Sequence, residues 1–403
     1  MMTNHSRPFS ILASVLLVAG GLSAQAGDGQ IDILPSPSMG FTINKSGSYV
    51  LVDNVTMTAD VTCIKITVDD VTLDLNGHTI TGTGAGTDAN GINGNFIDRI
   101  RVLNGTVRNF GGDGIRLGSG AHVEDVAVDS NSGDGVQLEN EGIVQNVIAR
   151  LNGEWGILCS SRSFVENCVA SGNNENGNAG GISVFGGEGR VINCSSSSNS
   201  GSTGSSTGIY LSSTGTAIGN QCNGHSAFDN GADAIGILVS GDSVIANNVC
   251  SENTAFSQGG SGIGIKASGR PVVEGNTCSG NDGQNSGTSG IGISVDSSAN
   301  VFRNTCSANR GSPGGLGVGI LITGDGNKIE DNLCAFNQGG STPRGILVLP
   351  SGSDNVVIAN TTIDNGTQGI EISPNDFRSG NVYNEANISG GSGGTVPGGD
   401  TPF

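Results

Sequence analysis

The sequence predicts an all-β fold, a parallel β-solenoid of about 12 turns, from three observations. Gly followed by Ile or Val recurs twelve times between Gly91 and Gly369, at intervals of 21 to 28 residues. Each of these glycines opens a short alternation such as "GIRL", "GVQL", "GIYL" or "GILV". Alternation at period two marks a strand with one buried face. A cysteine-bearing hexad also returns without slippage, "NTCSGN" at 276–281 and "NTCSAN" at 304–309, 28 residues apart.

The fold follows from what one such unit lacks. Short strands and turns without a helix cannot bury an apolar face alone, but units stacked on one another can, with rungs about 4.8 Å apart. Twelve of them make a rod on the order of 55 Å long. Seventy glycines with three Tyr and one Trp would also suit disorder, but the Val, Ile and Leu residues are too regularly placed for that. A propeller needs longer units and aromatic signatures that this chain lacks.

Equal spacing in a solenoid means vertical stacking. Cys194, Cys222, Cys250, Cys278, Cys306 and Cys334 are each 28 apart, with Thr362 next, and Asn220, Asn248, Asn276, Asn304, Asn332 and Asn360 keep the same step. The expectation is an inward Cys column, where a free thiol packs as a small hydrophobe, beside an Asn ladder bonding from rung to rung. Parallel Cβ vectors about 4.8 Å apart are wider than the usual disulfide separation of about 3.8 Å, which favours free thiols over pairing. Export to an oxidising compartment argues the other way. No Cys-x-x-Cys or His cluster accompanies the column, so no metal site is expected there.

Rung length varies in one place. From the residue closing the hexad (Asn131, Asn152, Asn173, Asn199, His225, Asn253, Asn281, Asn309, Asn337, Asn365) to the next glycine, the step grows from 4 to 11 and falls back to 4. A loop therefore swells through the middle rungs as a ridge of Gly, Ser and Thr. Phe228 and Phe256, 28 apart on it, are expected to cover the core.

The ends are read separately. Arg7, the apolar stretch Ile11 to Leu22 and Ala24-Gln25-Ala26 form a signal-peptide pattern over 1–26, cleaved after Ala26; the stretch is too short for a membrane span. Residues 27–60 are assigned to an entry and cap segment, 61–388 to the β-helix, and 389–403 to a flexible Gly-rich tail. Export implies a secreted or periplasmic protein. The processed chain would hold 16 basic and 36 acidic side chains, a surface that keeps a monomer soluble and repels nucleic acid.

The segments "GSYVLVDNVTM", "VTLDLNGHTITGTG" and "VLNGTVRNFGGDGI", followed by the Asn-x-Cys rungs, resemble secreted bacterial right-handed parallel β-helix repeat proteins of the pectin-lyase-like superfamily. The resemblance covers residues 40–388 and implies a right-handed winding. It implies little about activity, because that superfamily holds lyases, hydrolases, epimerases, tailspikes and non-catalytic surface proteins. The Asn-Thr-Asp, Gly-His-Gly and Arg-Ile-Lys sets of polygalacturonases and the Asp-Pro-His-Glu of alginate epimerases are missing. His78, in "LDLNGHTI", belongs by that resemblance to the family's entry segment and reads as structural.

Chemistry concentrates in the narrow N-terminal rungs. Asp113, Asp134 and Trp155 each precede a rung glycine and lie 21 apart. Stacked, the carboxylates would sit about 5 Å apart at the backbone, beside a ring on which a sugar could stack. Arg116 and Gln137 follow at outward strand positions, with Glu154 near in sequence. Paired carboxylates serve glycoside hydrolysis, here as the candidate catalytic pair, with Trp155, Arg116 and Gln137 as candidate substrate-binding residues. "Gly-Asp-Gly" is equally an ordinary turn. A lyase would need a base and a cation to neutralise a uronate, a role open to Ca2+. Two functions remain open: an exported protein that binds or processes an extracellular polysaccharide, as a lyase or hydrolase if it is an enzyme, and a non-catalytic structural or surface scaffold.

Overall fold

The computed structural model describes residues 29–383 apart from 85, 87–88, 176–178 and 203, together with 401–402. The signal-peptide segment and most of the tail lie outside the described residues. Those described are strands and turns wound as a parallel solenoid.

One rung shows the construction. Ser261–Ala267 runs along one face, Val272–Glu274 and Thr277–Ser279 turn the next two sides, and Asp282–Gly283 begins the return to Ser289–Val295. Every strand pairs in parallel with its counterpart one turn later: Ile265 with Ile293, Val273 with Val301, Cys278 with Cys306. Stacking yields a 14-stranded sheet of the glycine-led strands, a 28-stranded sheet combining the next two sides, and a seven-stranded third sheet. The two sides merge where Arg101–Arg108 and His122–Asp129 run unbroken through the corner. Asn104 and Asp125 take left-handed φ of 58° and 52° at that bend, a conformation Asn and Asp tolerate better than most side chains.

The core is a set of columns. The central inward position of the glycine-led sheet is Ile or Val from Ile64 through Ile265 to Ile370, without solvent exposure at these three. Each such side chain contributes about 1.5–3 kcal/mol by burial.

The expected Asn ladder is present. From Asn220 through Asn248, Asn276, Asn304, Asn332 and Asn360 to Asn381, each residue donates its backbone amide and Nδ2 to the Oδ1 one rung on, at 2.9–3.1 Å. A second ladder runs along the residues that close the hexad, from Asn131 to Asn199 and from Asn253 to Asn365, broken only by His225.

The Cys column holds from Cys222 to Cys334, in register rung by rung and followed by Thr362. All nine cysteines are free and buried. Cys194 is the exception to the expected column. Ser196 pairs with Cys222, whereas Cys194 lies beneath Asn220, to whose Oδ1 its amide donates at 2.9 Å. That rung is 26 residues long, Ser195 pairing with Gln221, so a 28-residue step lands two positions away.

The swollen loop is more ordered than a ridge of turns. It carries the third sheet, from Asn174–Glu175 to Gln338–Gly339. Phe228 and Phe256 do not cover the core: they stack on each other at 5.0 Å and are 55% and 38% exposed. Ala227, Ala232 and Ala234 form a small buried cluster of their own in this part of the chain.

Candidate functional site

Two outward columns on the glycine-led sheet form a groove parallel to the rod axis. The first is the centre of each strand: Arg116, Gln137, Leu158, Ser183, Tyr210, Leu238 and Lys266, paired in that order. Six steps of about 4.8 Å span roughly 29 Å. The second is the residue before each rung glycine, beginning Asn90, Asp113, Asp134, Trp155.

That second column is itself a hydrogen-bonded ladder. The amide of Asp113 donates to Asn90 Oδ1 at 2.8 Å, that of Asp134 to Asp113 Oδ1 at 2.9 Å, and that of Trp155 to Asp134 Oδ1 at 2.9 Å. One oxygen of each carboxylate is therefore committed to the backbone. Asp134 is 2% exposed and Asp113 8%. Asp113 Oδ2 faces Arg116, 3.4 Å away. Burial raises the Asp113 carboxyl above the usual carboxylate range, against the opposing pull of the Asp134 amide and Arg116.

The groove has two parts. A hollow of about 670 Å³ is lined by Asp113, Asp134, Arg116, Gln137, Glu154 and neighbouring Asn and Gly residues. Glu154 is raised by burial and by the Asp113 carboxylate, with Arg116 opposing. A second hollow of about 410 Å³ is lined by Trp155, Phe185, Tyr210, Asp233, Leu238 and Lys266 among others. Trp155 stacks on Tyr210 at 6.5 Å and Phe185 meets Tyr210 edge-on at 5.4 Å. A Cβ at position 180 would collide with the Trp155 ring, so Gly180 makes the seat on which the indole lies. Lys266 pairs with Asp233 at 2.9 Å on the rim.

Of the residues singled out from the sequence, Asp113, Asp134, Arg116 and Gln137 share the first hollow and Trp155 lines the second. Phe185, Tyr210, Asp233 and Lys266 were not anticipated. Tyr210 had a signal, since "GIYL" puts it where "GIRL" puts Arg116; Phe185 had none. His122 and Arg101 lie on the other sheet, both against Glu124.

A third hollow, of about 550 Å³, lies on the 28-stranded sheet around Phe302, Arg303, Lys328 and Glu330. Its cations are neutralised locally, Arg303 by Glu274 and Lys328 by Glu330. Among the described residues no group of three or more His, Cys, Asp or Glu is placed to hold a metal ion, and no helix is long and apolar enough to cross a membrane.

The family described as right-handed beta helix region matches residues 180–341. No curated protein matches the chain in sequence. Among solved structures, the periplasmic alginate epimerase AlgG is similar at 12% identity and a TM-score of 0.40, over 93% of this chain and 84% of that one. The Azotobacter vinelandii mannuronan C-5 epimerase AlgE4 A-module is similar at 13% and 0.41, over 85% and 91%. PfbA, a surface adhesin of Streptococcus pneumoniae, is similar at 11% and 0.32, over 84% and 85%.

Proposed function

From the premise that this chain is a right-handed parallel β-helix protein, we propose that it is exported and binds an extended polysaccharide along the outer face of its glycine-led sheet. The observation that carries this reading is that two hollows, one polar and one aromatic, lie along a single strand register of the glycine-led sheet. A polymer with a repeat presents like groups at intervals, and a solenoid presents side chains at intervals to meet them. Trp155 and Tyr210 offer stacking area for sugar faces; Arg116 and Gln137 offer donors for hydroxyls.

Cleavage is a second reading. Asp113 and Glu154 line one hollow with both carboxyls raised, the condition under which one member of a pair keeps its proton as a general acid. Asp134 would then be a positioning residue, fixed by the Trp155 amide. Against both stands the bland scaffold, for which the groove is only surface.

Glycan-array binding by the full chain, followed by a depolymerisation screen, separates the three. Binding that falls with Tyr210→Ala and Arg116→Ala supports the groove; cleavage abolished by Glu154→Gln supports the second reading. Absence of binding across neutral, cationic and anionic glycans leaves the scaffold.

A further inference from the structure

The electrostatics of the groove bear on which glycan it takes, an inference that rests on the reading above. Neither cation is free: Arg116 faces Asp113 at 3.4 Å and Lys266 faces Asp233 at 2.9 Å. Asp134 and Glu154 bring the lining to four carboxylates against two cations. Among the described residues Glu154 forms no ion pair, and the Asp113 charge beside it has no second cation to offset it. The whole chain carries a formal charge of −19, so the long-range field has the same sign as the local one.

Trp155, Phe185 and Tyr210 line the second hollow, and the face of an aromatic ring attracts cations through its quadrupole.

We infer that the groove selects a polysaccharide built of 2-amino-2-deoxyhexose units with free ammonium groups, and rejects uronates and sulfated glycans. The ammonium groups meet Glu154 and the aromatic faces. Ring hydroxyls meet Gln137 in the first hollow. A uronate would instead place a carboxylate beside Glu154 with no unpaired cation to receive it.

The test is calorimetric titration of the full chain, without divalent cations and at low salt, with three hexasaccharides: glucosamine, N-acetylglucosamine and galacturonate. The glucosamine hexamer is expected to bind roughly tenfold tighter than its acetylated counterpart, the increment of one favourable charge contact. The galacturonate hexamer is expected not to bind. Glu154→Gln should bring the two amino-sugar affinities within about threefold of each other, and Tyr210→Ala should weaken both. Glu330→Gln, on the far sheet, should change neither, which separates groove binding from general attraction of a polycation. Equal affinity for the free and acetylated hexamers, or a preference unmoved by Glu154→Gln, overturns this inference and leaves the groove reading standing. Tight binding of galacturonate overturns it too. No binding of any hexamer or of any array glycan overturns both.

Discussion

The amide of His225 donates to Asn253 Oδ1 across 3.3 Å, yet the His225 imidazole makes no hydrogen bond with either ring nitrogen. It is the one non-Asn residue between Asn131 and Asn365 on the second ladder, wholly buried. Burial outweighs the nearby backbone of Asn199 and Ser196 and lowers its pKa to about 4. An unfolded histidine titrates near ~6.5. The unfolded chain therefore takes up a proton that the native one refuses, and stability present above ~6.5 is lost as pH falls toward 4, by up to about 3 kcal/mol. His225→Asn is expected to raise the unfolding temperature and flatten its decline over that window. Asn fits the space, since Asn253 packs beneath Gly236 as His225 packs beneath Gly208. Thermal unfolding of both proteins at several pH values checks it.

Asn276 shows what the intact ladder contributes. It accepts from Asn248 and donates Nδ2 to Asn304 Oδ1 and to Ile245 O, each at 2.9 Å. Asn276→Ala strands several buried groups at once, so a loss of about 2–4 kcal/mol is expected. Asn276→Leu should cost at least as much although it is more apolar. Urea unfolding measures both.

The thiols are expected to be present but silent. Burial pushes Cys250, Cys278 and Cys306 well above the ordinary thiol range and Cys63 to about 12, and the thiolate is the reactive species. A thiol reagent should find nine free groups after denaturation without reductant and almost none before it. Fewer than about three after denaturation would mean that the column is oxidised, against the register spacing of about 4.8 Å.

Asp113 is expected to cost stability at neutral pH. Its folded carboxyl is raised by burial, so the native state binds a proton at a pH where the unfolded state has lost it, and stability falls as pH rises through that range. Asp113→Asn keeps an Oδ1 for the Asp134 amide and removes the buried charge. The variant should be more stable than the parent at pH 7, with the gain vanishing in acid. Unfolding at pH 7 and below the carboxylate range tests the sign.

The winding was legible because strand alternation and near-constant rung length survive in the one-dimensional text. Columns could be read only where successive rungs have equal length. Cys194 matched Cys222 in number yet stands under Asn220, because one rung is two residues shorter. Of the groove, Asp113, Asp134, Arg116 and Gln137 were visible through the 21-residue step of the narrow rungs. Phe185 and Asp233 were not, because both belong to segments whose length changes from rung to rung. The third sheet was hidden for a similar reason: two-residue strands such as Thr254–Ala255 are too short to show a period.

The account turns on the outward column from Arg116 to Lys266 acting as one binding surface. The measurement that meets it most directly is a ligand footprint with single cysteines introduced at Gln137, Leu158 and Leu238, and at Thr216 and Glu274 on the 28-stranded sheet. Labelling rates with a small thiol reagent are compared with and without the glucosamine hexasaccharide, against a native background of buried cysteines. Protection of 137, 158 and 238 together, with 216 and 274 unchanged, is the predicted result. Protection confined to 216 and 274, or equal at all five positions, would contradict it.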